Sequence, residues 1–307
     1  MSIGRRLTGR VRRLQSAEVR ICSLLPSATE IVAGLGLADR LVGVSAECDW
    51  PPEVRGLPVV TASRIGSGEL GSLEIDRAVR EAVAGGRSLY AIDEELIDSL
   101  QPDLILTQDL CEVCAVSSAE VGRLCRVQAE VVSLDPRTIG EIEESVLRLA
   151  ERLGVPERGA AVVAEMRAKI GRAHAAVAGL PSRRVFVAEW LDPPFAAGHW
   201  VPEMVELAGG EEVLGRAGEA SFPTTWEAVR AAEPELVVLA PCGFDAERAA
   251  REGAPLSCRT VAVDANAYFS RPAPRVADGV VQVAFLLHSD AVPDPGLPWL
   301  ELVPAPA

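Results

Sequence analysis

Residues 138–179 constrain this chain more than any other stretch, because they read as helix throughout with a single joint. Thr138 and Glu141 form a T-x-x-E capping box, in which each side chain satisfies an open amide of the first turn. Ile139, Ile142, Val146, Leu149 and Leu153 recur at helical spacing, and Gly154 ends that piece. Pro156 takes the first position of a second helix, where its missing N–H costs nothing. Val163, Met166, Ile170, Ala173 and Val177 give this helix one apolar stripe, and Gly179 and Pro181 stop it. Residues 156–178 would span roughly 35 Å at about 1.5 Å per residue, the width of a small domain. The stretch therefore predicts a spine with a lobe at each end.

On both sides of the spine, short apolar runs alternate with helical patterns. Strands are expected at 21–25, 41–45, 103–107 and 131–134 before it, and at 185–189, 236–240 and 261–264 after it. Helices are expected from 27 to 36, where Ser27 and Glu30 offer a second capping box, and at 72–84, 93–100 and 118–125. After the spine they are expected at 202–207, 225–232, 246–251 and 274–287. This is an α/β pattern of two Rossmann-like lobes with mainly parallel sheets, joined by one long backbone helix. The boundaries are a basic tail at 1–19, an N-terminal lobe at 20–136, a linker with the backbone helix at 137–180, a C-terminal lobe at 181–288 and a proline-rich irregular tail at 289–307. An internal repeat supports two copies of one unit. Residues 93–106 and 225–238 each carry a cap residue, a glutamate two places on (Glu95 and Glu227), an apolar helix, a proline and a buried strand.

Composition excludes several classes. The 307 residues are 49% hydrophobic, enough for one large or two medium cores. A net charge of −14 argues against nucleic acid, whose phosphates need a basic face. No run reaches the ~18 apolar residues of a membrane helix, so no membrane insertion is expected. The first twenty residues are basic without an apolar core, so they read as a disordered tail rather than an export signal. With seven cysteines and no export, reduced thiols in the cytoplasm and a monomer are expected.

In open α/β sheets, ligands bind beyond the carboxyl ends of the strands. Ser27 follows the first strand, Cys48, Asp49 and Trp50 the second, and Asp109, Cys111 and Cys114 the third. In the second lobe Glu189, Trp190, Pro194 and Phe195 lie at the first strand's end, with His199 and Trp200 close behind. Cys242 and Phe244 follow the next strand, and Asn266, Tyr268 and Arg271 the last. Only 4% of the chain is aromatic, yet aromatics collect in these loops. A cleft walled by them, with a few polar groups, suits a large flat organic ligand. The spacing Cys111-Glu112-Val113-Cys114 permits metal or redox chemistry, or a structural loop with buried thiols; no second C-x-x-C completes a zinc site. G-x-S-x-G, P-loop and H-E-x-x-H motifs are absent.

R-I-C-S-L-L-P-S-A-T-E-I from Arg20, W-P-P from Trp50 and L-D-P-P-F from Leu191 resemble the substrate-binding proteins of cobalamin and iron-siderophore ABC importers, the type with a helical backbone. A signal-less cobalamin-binding branch shares T-Q-D-L-C-E-V-C from Thr107, A-G-H-W-V-P-E-M from Ala197 and D-A-N-A-Y-F-S-R-P from Asp264. The resemblance covers residues 20–287. It implies a shallow cleft between lobes, a clamped ligand and little hinge motion. By position it places Trp50 and the Pro193-Pro194-Phe195 turn in the cleft and sets Tyr90 and Phe222 near ring-contacting positions. It also assigns Glu95 and Glu227 to docking on an ABC transporter permease.

The expectation is therefore a non-enzymatic, cytoplasmic binding protein for a cobalamin-like corrinoid or related metal chelate, with no cofactor required. The alternative is a metal-binding or thiol-dependent enzyme that uses Cys111 and Cys114.

Overall fold

The computed structural model describes residues 19–65, 70–109, 122 and 128–302. Its spine is the pair of helices α4 (Ile139–Arg152) and α5 (Pro156–Val177); among the described residues the elements named below precede and follow it. Thr138 Oγ1 accepts the Glu141 N–H at 3.1 Å, whereas the Glu141 carboxylate takes the Arg137 N–H at 2.6 Å, one residue outside the expected box. Helix α5 has 22 residues, roughly 33 Å at 1.5 Å each. Its apolar stripe is buried and serves both cores: Val163 joins the first lobe's cluster, and Met166, Ile170, Ala173 and Val177 join the second's. Val163, Met166, Ile170 and Val177 each contribute about 1.5–3 kcal/mol of burial, so the spine is fixed to both lobes at once. At the joint, a Cβ on Gly159 would lie 2.4 Å from Ala150 Cβ, so α4 and α5 approach more closely than any side chain at 159 permits.

The first lobe contains β1 (Ile21–Ser23), α1 (Pro26–Gly34), β2 (Leu41–Val44), β3 (Thr61–Ser63), α2 (Ser72–Ala84), β4 (Tyr90–Ile92), α3 (Glu94–Leu100), β5 (Leu104–Thr107) and β6 (Glu130–Ser133). Its main sheet is all parallel, in the order β2-β1-β5-β6, and β3 pairs antiparallel with β4 apart from it. Residues 61–63 and 90–92 were not expected as strands. The capping box expected at Ser27 and Glu30 does not form. Leu25 takes the cap position with no side-chain bond, Pro26 opens α1, and the Glu30 carboxylate turns to arginines of the other lobe. A helix expected at 118–125 falls almost wholly outside the described residues.

The second lobe contains β7 (Arg183–Leu191), β8 (Pro194–Ala196), α6 (Val201–Leu207), β9 (Gly210–Glu212), β10 (Phe222–Pro223), α7 (Trp226–Ala231), β11 (Leu236–Leu239), α8 (Ala246–Glu252), β12 (Arg259–Val263), α9 (Ala265–Tyr268), α10 (Val276–Leu287) and β13 (Trp299–Leu302). These strands form a seven-stranded mixed sheet, ordered β10-β8-β7-β11-β12-β13, with β9 beside the start of β7. The tail expected to be irregular thus supplies an edge strand, in which Trp299 pairs with Val263 across an antiparallel ladder. Lys169 on α5 holds Asp278 on α10 at 2.8 Å, a tie between spine and second lobe.

Candidate functional site

The carboxyl ends of β2 and β12 bring two distant loops together. Asp264 caps α9 by accepting the Ala267 N–H at 2.9 Å, and this turn aims Asn266 and Arg271 at the loop after β2. Arg271 Nη1 donates to Asp49 Oδ1 at 2.5 Å and to Glu30 Oε1 at 3.0 Å; its Nη2 donates to the Glu47 carbonyl at 3.1 Å and Asn266 Oδ1 at 2.9 Å. Asn266 Nδ2 donates to Asp49 Oδ2 at 3.3 Å. Arg275 grips Glu30 with two donors, at 2.8 and 2.5 Å. The Glu30 and Arg271 side chains are 2% and 6% exposed, so the centre of the joint between the lobes is a desolvated ion pair, with the more exposed Asp49 at its rim. Burial works against the Arg271 charge, but Asp49 and Glu30 outweigh it and hold the guanidinium above its usual pKa.

Beside this cluster Trp50 is 45% exposed, a large exposure for tryptophan. The Arg275 guanidinium lies 5.0 Å from its ring and 5.5 Å from that of Tyr268, both within cation–π range. Trp50, Glu30, Met166, Lys169, Arg275 and Asp278 border a crevice of about 280 Å³ between α1, the spine and α10.

A second group forms at the ends of β7 and β11. Trp190 and Phe244 stack edge to face at 5.5 Å, and Arg248 lies 3.7 Å over the Phe244 ring. The Asn266 N–H donates to the Phe244 carbonyl at 3.1 Å and so links the two groups. Trp190 Nε1 donates to the Ser72 carbonyl at 3.1 Å, a contact from the first lobe. Cys242 is exposed next to them, its N–H on the Glu189 carbonyl.

Other expected site residues are placed differently. Trp200 is buried in the second core with Nε1 on the Phe269 carbonyl at 2.8 Å, and Phe244 is only 1% exposed, so both back the cleft wall instead of facing into it. Ser27 and Cys48 are buried in the first lobe. Burial pushes the Cys48 thiol up, against hydrogen bonds with Ser45 and Thr29, which keeps it neutral. Glu189 Oε1 accepts the Gly198 N–H at 3.1 Å and shapes the loop that carries His199. Burial and nearby Arg137 lower the His199 pKa, favouring neutral imidazole. Pro194 and Phe195 lie in β8, and Phe222 in β10 under the Arg216 guanidinium at 4.8 Å. Tyr90 in β4 packs on the first lobe's Cys22–Ile105 cluster. Asp109 is exposed, with its N–H on Asp135 Oδ1 at 2.5 Å. Cys111 and Cys114 lie outside the described residues. Among the described residues, no group of three or more His, Cys, Asp or Glu side chains could hold a metal ion. Glu95 and Glu227 are both exposed in first turns, of α3 and α7, and Glu227 pairs with Arg230 at 2.9 Å.

Sequence reasoning missed Glu30 and Arg275 as members of the site. The available signal was a carboxylate within the apolar run Ile31-Val32 of α1, on a face that has to be buried.

Residues 21–253 match the family model for periplasmic binding proteins. In sequence the chain is 27% identical over 282 residues to the vitamin B12-binding protein of Vibrio cholerae, covering 87% of this chain and 88% of that one. It is 25% identical over 281 residues to the vitamin B12-binding protein of Yersinia pestis, covering 91% and 89%. Among solved structures it is similar to the periplasmic vitamin B12 binding protein of Vibrio cholerae, with a TM-score of 0.61, 23% identity and coverage of 88% and 96%. A periplasmic heme binding protein from Pseudomonas aeruginosa gives a TM-score of 0.65 at 19% identity, covering 94% and 98%. At these identities the structural likenesses speak for the two-lobed fold. The family is described as periplasmic and both solved structures are named as periplasmic proteins, which overturns the expectation of a cytoplasmic protein. That expectation leaned on the first twenty residues, nearly all of which lie outside both the described fold and the family match. Among the described residues, no helix is long and apolar enough to cross a membrane.

Proposed function

The chain belongs to the periplasmic binding protein family, and from that premise we propose that it binds a cobalamin-like corrinoid, or a closely related metal chelate, between its lobes without covalent chemistry. The observation that carries this reading is the meeting of the 47–50 loop with the 264–275 segment across the lobes, beside an exposed Trp50. Two curated relatives named for vitamin B12 binding, matched over most of the chain, supply the ligand class. Trp50, Trp190, Phe195, Phe222 and Tyr268 would give apolar contact to the ring system. Asp49 and Asn266 would read its amide side chains, with Arg271 holding both in place. In the same reading residues 20–136 and 181–288 are the walls, 137–180 is the linker, and Glu95 and Glu227 meet an ABC transporter permease. The rival reading, a metal- or thiol-dependent enzyme, has no support from relatives that are themselves named binding proteins.

Titration with aquocobalamin, followed by absorbance and calorimetry, tests the reading. A saturable heat and a shift of the corrin bands are expected, and Trp50→Ala should weaken binding about ten-fold, near 1.4 kcal/mol. Absence of heat and of spectral change at high micromolar ligand would sink it.

A further inference from the structure

Helix α2 starts from one lobe and is fastened to the other. It connects β3 to β4, which pair with each other in the first lobe. Its first turn nevertheless meets α8 of the second lobe. The two Glu252 oxygens accept the Ser72 N–H at 2.9 and 3.1 Å, and the carboxylate also takes the Ser72 hydroxyl. A carboxylate at that place satisfies an amide left open by the helix start and sits at the positive end of the helix dipole. Arg248 Nη2 adds a bond to the Leu70 carbonyl at 2.9 Å, and Trp190 Nε1 one to the Ser72 carbonyl at 3.1 Å. Ile75 packs against the cluster of Phe186 and Phe244. Ser72 is the one fully buried residue of this helix, and Leu73, Ile75, Asp76, Ala78, Val79 and Ala82 are half-buried.

Among the described residues, the lobes are therefore joined beside the spine by two unlike fastenings. One is the desolvated Glu30–Arg271 joint. The other is made of the Ser72–Glu252, Arg248–Leu70 and Trp190–Ser72 hydrogen bonds with Ile75 packed beside them, and its carboxylate, Glu252, is exposed. The acceptor of the second is thus open to water, whereas Glu30 in the first is buried.

We propose that α2 is a strap closing the Trp190 side of the cleft, latched by Glu252 as its positioning residue, and that ligand enters when this latch opens. The part played in ligand entry rests on the cleft reading above; the latch itself does not.

The first test needs no ligand. Hydrogen exchange of the full chain should show the α2 amides exchanging at least ten-fold faster in Glu252→Ala, with β7 and β11 unchanged. Glu252→Gln, which keeps an acceptor and loses the charge, should fall between. Unchanged α2 exchange in both variants overturns the latch. The second test is stopped-flow mixing with aquocobalamin, where Glu252→Ala should associate several-fold faster than the parent chain. A freed α2 with an unaltered association rate overturns the gate. If neither protein binds aquocobalamin, the corrinoid reading fails, and the exchange data alone decide the strap.

Discussion

The two lobes are built on the same parallel frame. In the first the order is β2-β1-β5-β6; in the second β9, β7, β11 and β12 stand in the same order and are parallel throughout. The repeated units agree in detail. Asp93 and Thr225 both cap by accepting an N–H three residues on, at 2.9 and 3.1 Å, and Gln101 and Glu233 both take a left-handed φ of 46° before a proline. The lobes differ at their margins and in charge. The second adds β8 and β10 on one side and β13 on the other. At the joint the first lobe supplies the carboxylates Glu30 and Asp49, and the second supplies Arg271 and Arg275. Equivalent backbone with opposite charge teaches that the frame fixes where strand ends lie, while the loops beyond them are free to become complementary.

The strongest way to break that complementarity is Glu30→Ala. It leaves two arginines without their shared acceptor in a dry site, and a loss of about 3–5 kcal/mol is expected in urea denaturation. A loss below ~1 kcal/mol would show that the lobes do not depend on this pair. Next comes Glu212, which ties the second lobe's β7 to the loop after β9. It accepts the Val187, Leu214 and Gly215 N–H groups at 2.9, 3.2 and 3.0 Å. Burial pushes its carboxyl up from 4.5 to about 7, more than these donors lower it. The folded state thus holds this proton more tightly than the unfolded chain does. The resulting stability is complete below pH 4.5 and lost as pH rises through about 7. The difference sets an upper bound of about 3 kcal/mol, reduced by the exposure the residue retains. Denaturation across this window should show the decline, and Glu212→Gln should flatten it. The smallest effect sharpens the equivalence of the repeats. Asp93→Ala and Thr225→Ala should each cost about 1 kcal/mol. Values differing by more than ~1 kcal/mol in thermal unfolding would mean that the two caps are not equivalent.

The spine, the central strands and the repeat were legible because each is written locally, in periodicity, caps and prolines. What escaped is non-local. Glu30 and Arg271 are 241 residues apart, and no local pattern records that they meet. The pairing of Trp299 with Val263 is of the same kind. Trp50 and Trp200 look alike as loop aromatics, yet one is 45% exposed and the other 5%. The second packs in the core, where the Phe269 carbonyl satisfies its N–H. Sequence places these aromatics beyond strand ends, but which ring faces outward depends on a partner from elsewhere in the chain.

The close approach of Gly159 to Ala150 makes the elbow of the spine a fulcrum. From Gly159 to Val177 the arm is roughly 27 Å at 1.5 Å per residue, so a tilt of about 5° displaces its far end by roughly 2 Å. Such a displacement is comparable to the guanidinium–carboxylate distances of 2.5–3.0 Å that join the lobes. A single methyl group at position 159 would thus act as a wedge under a lever, and its effect would be read where the lobes meet, far from where it was inserted.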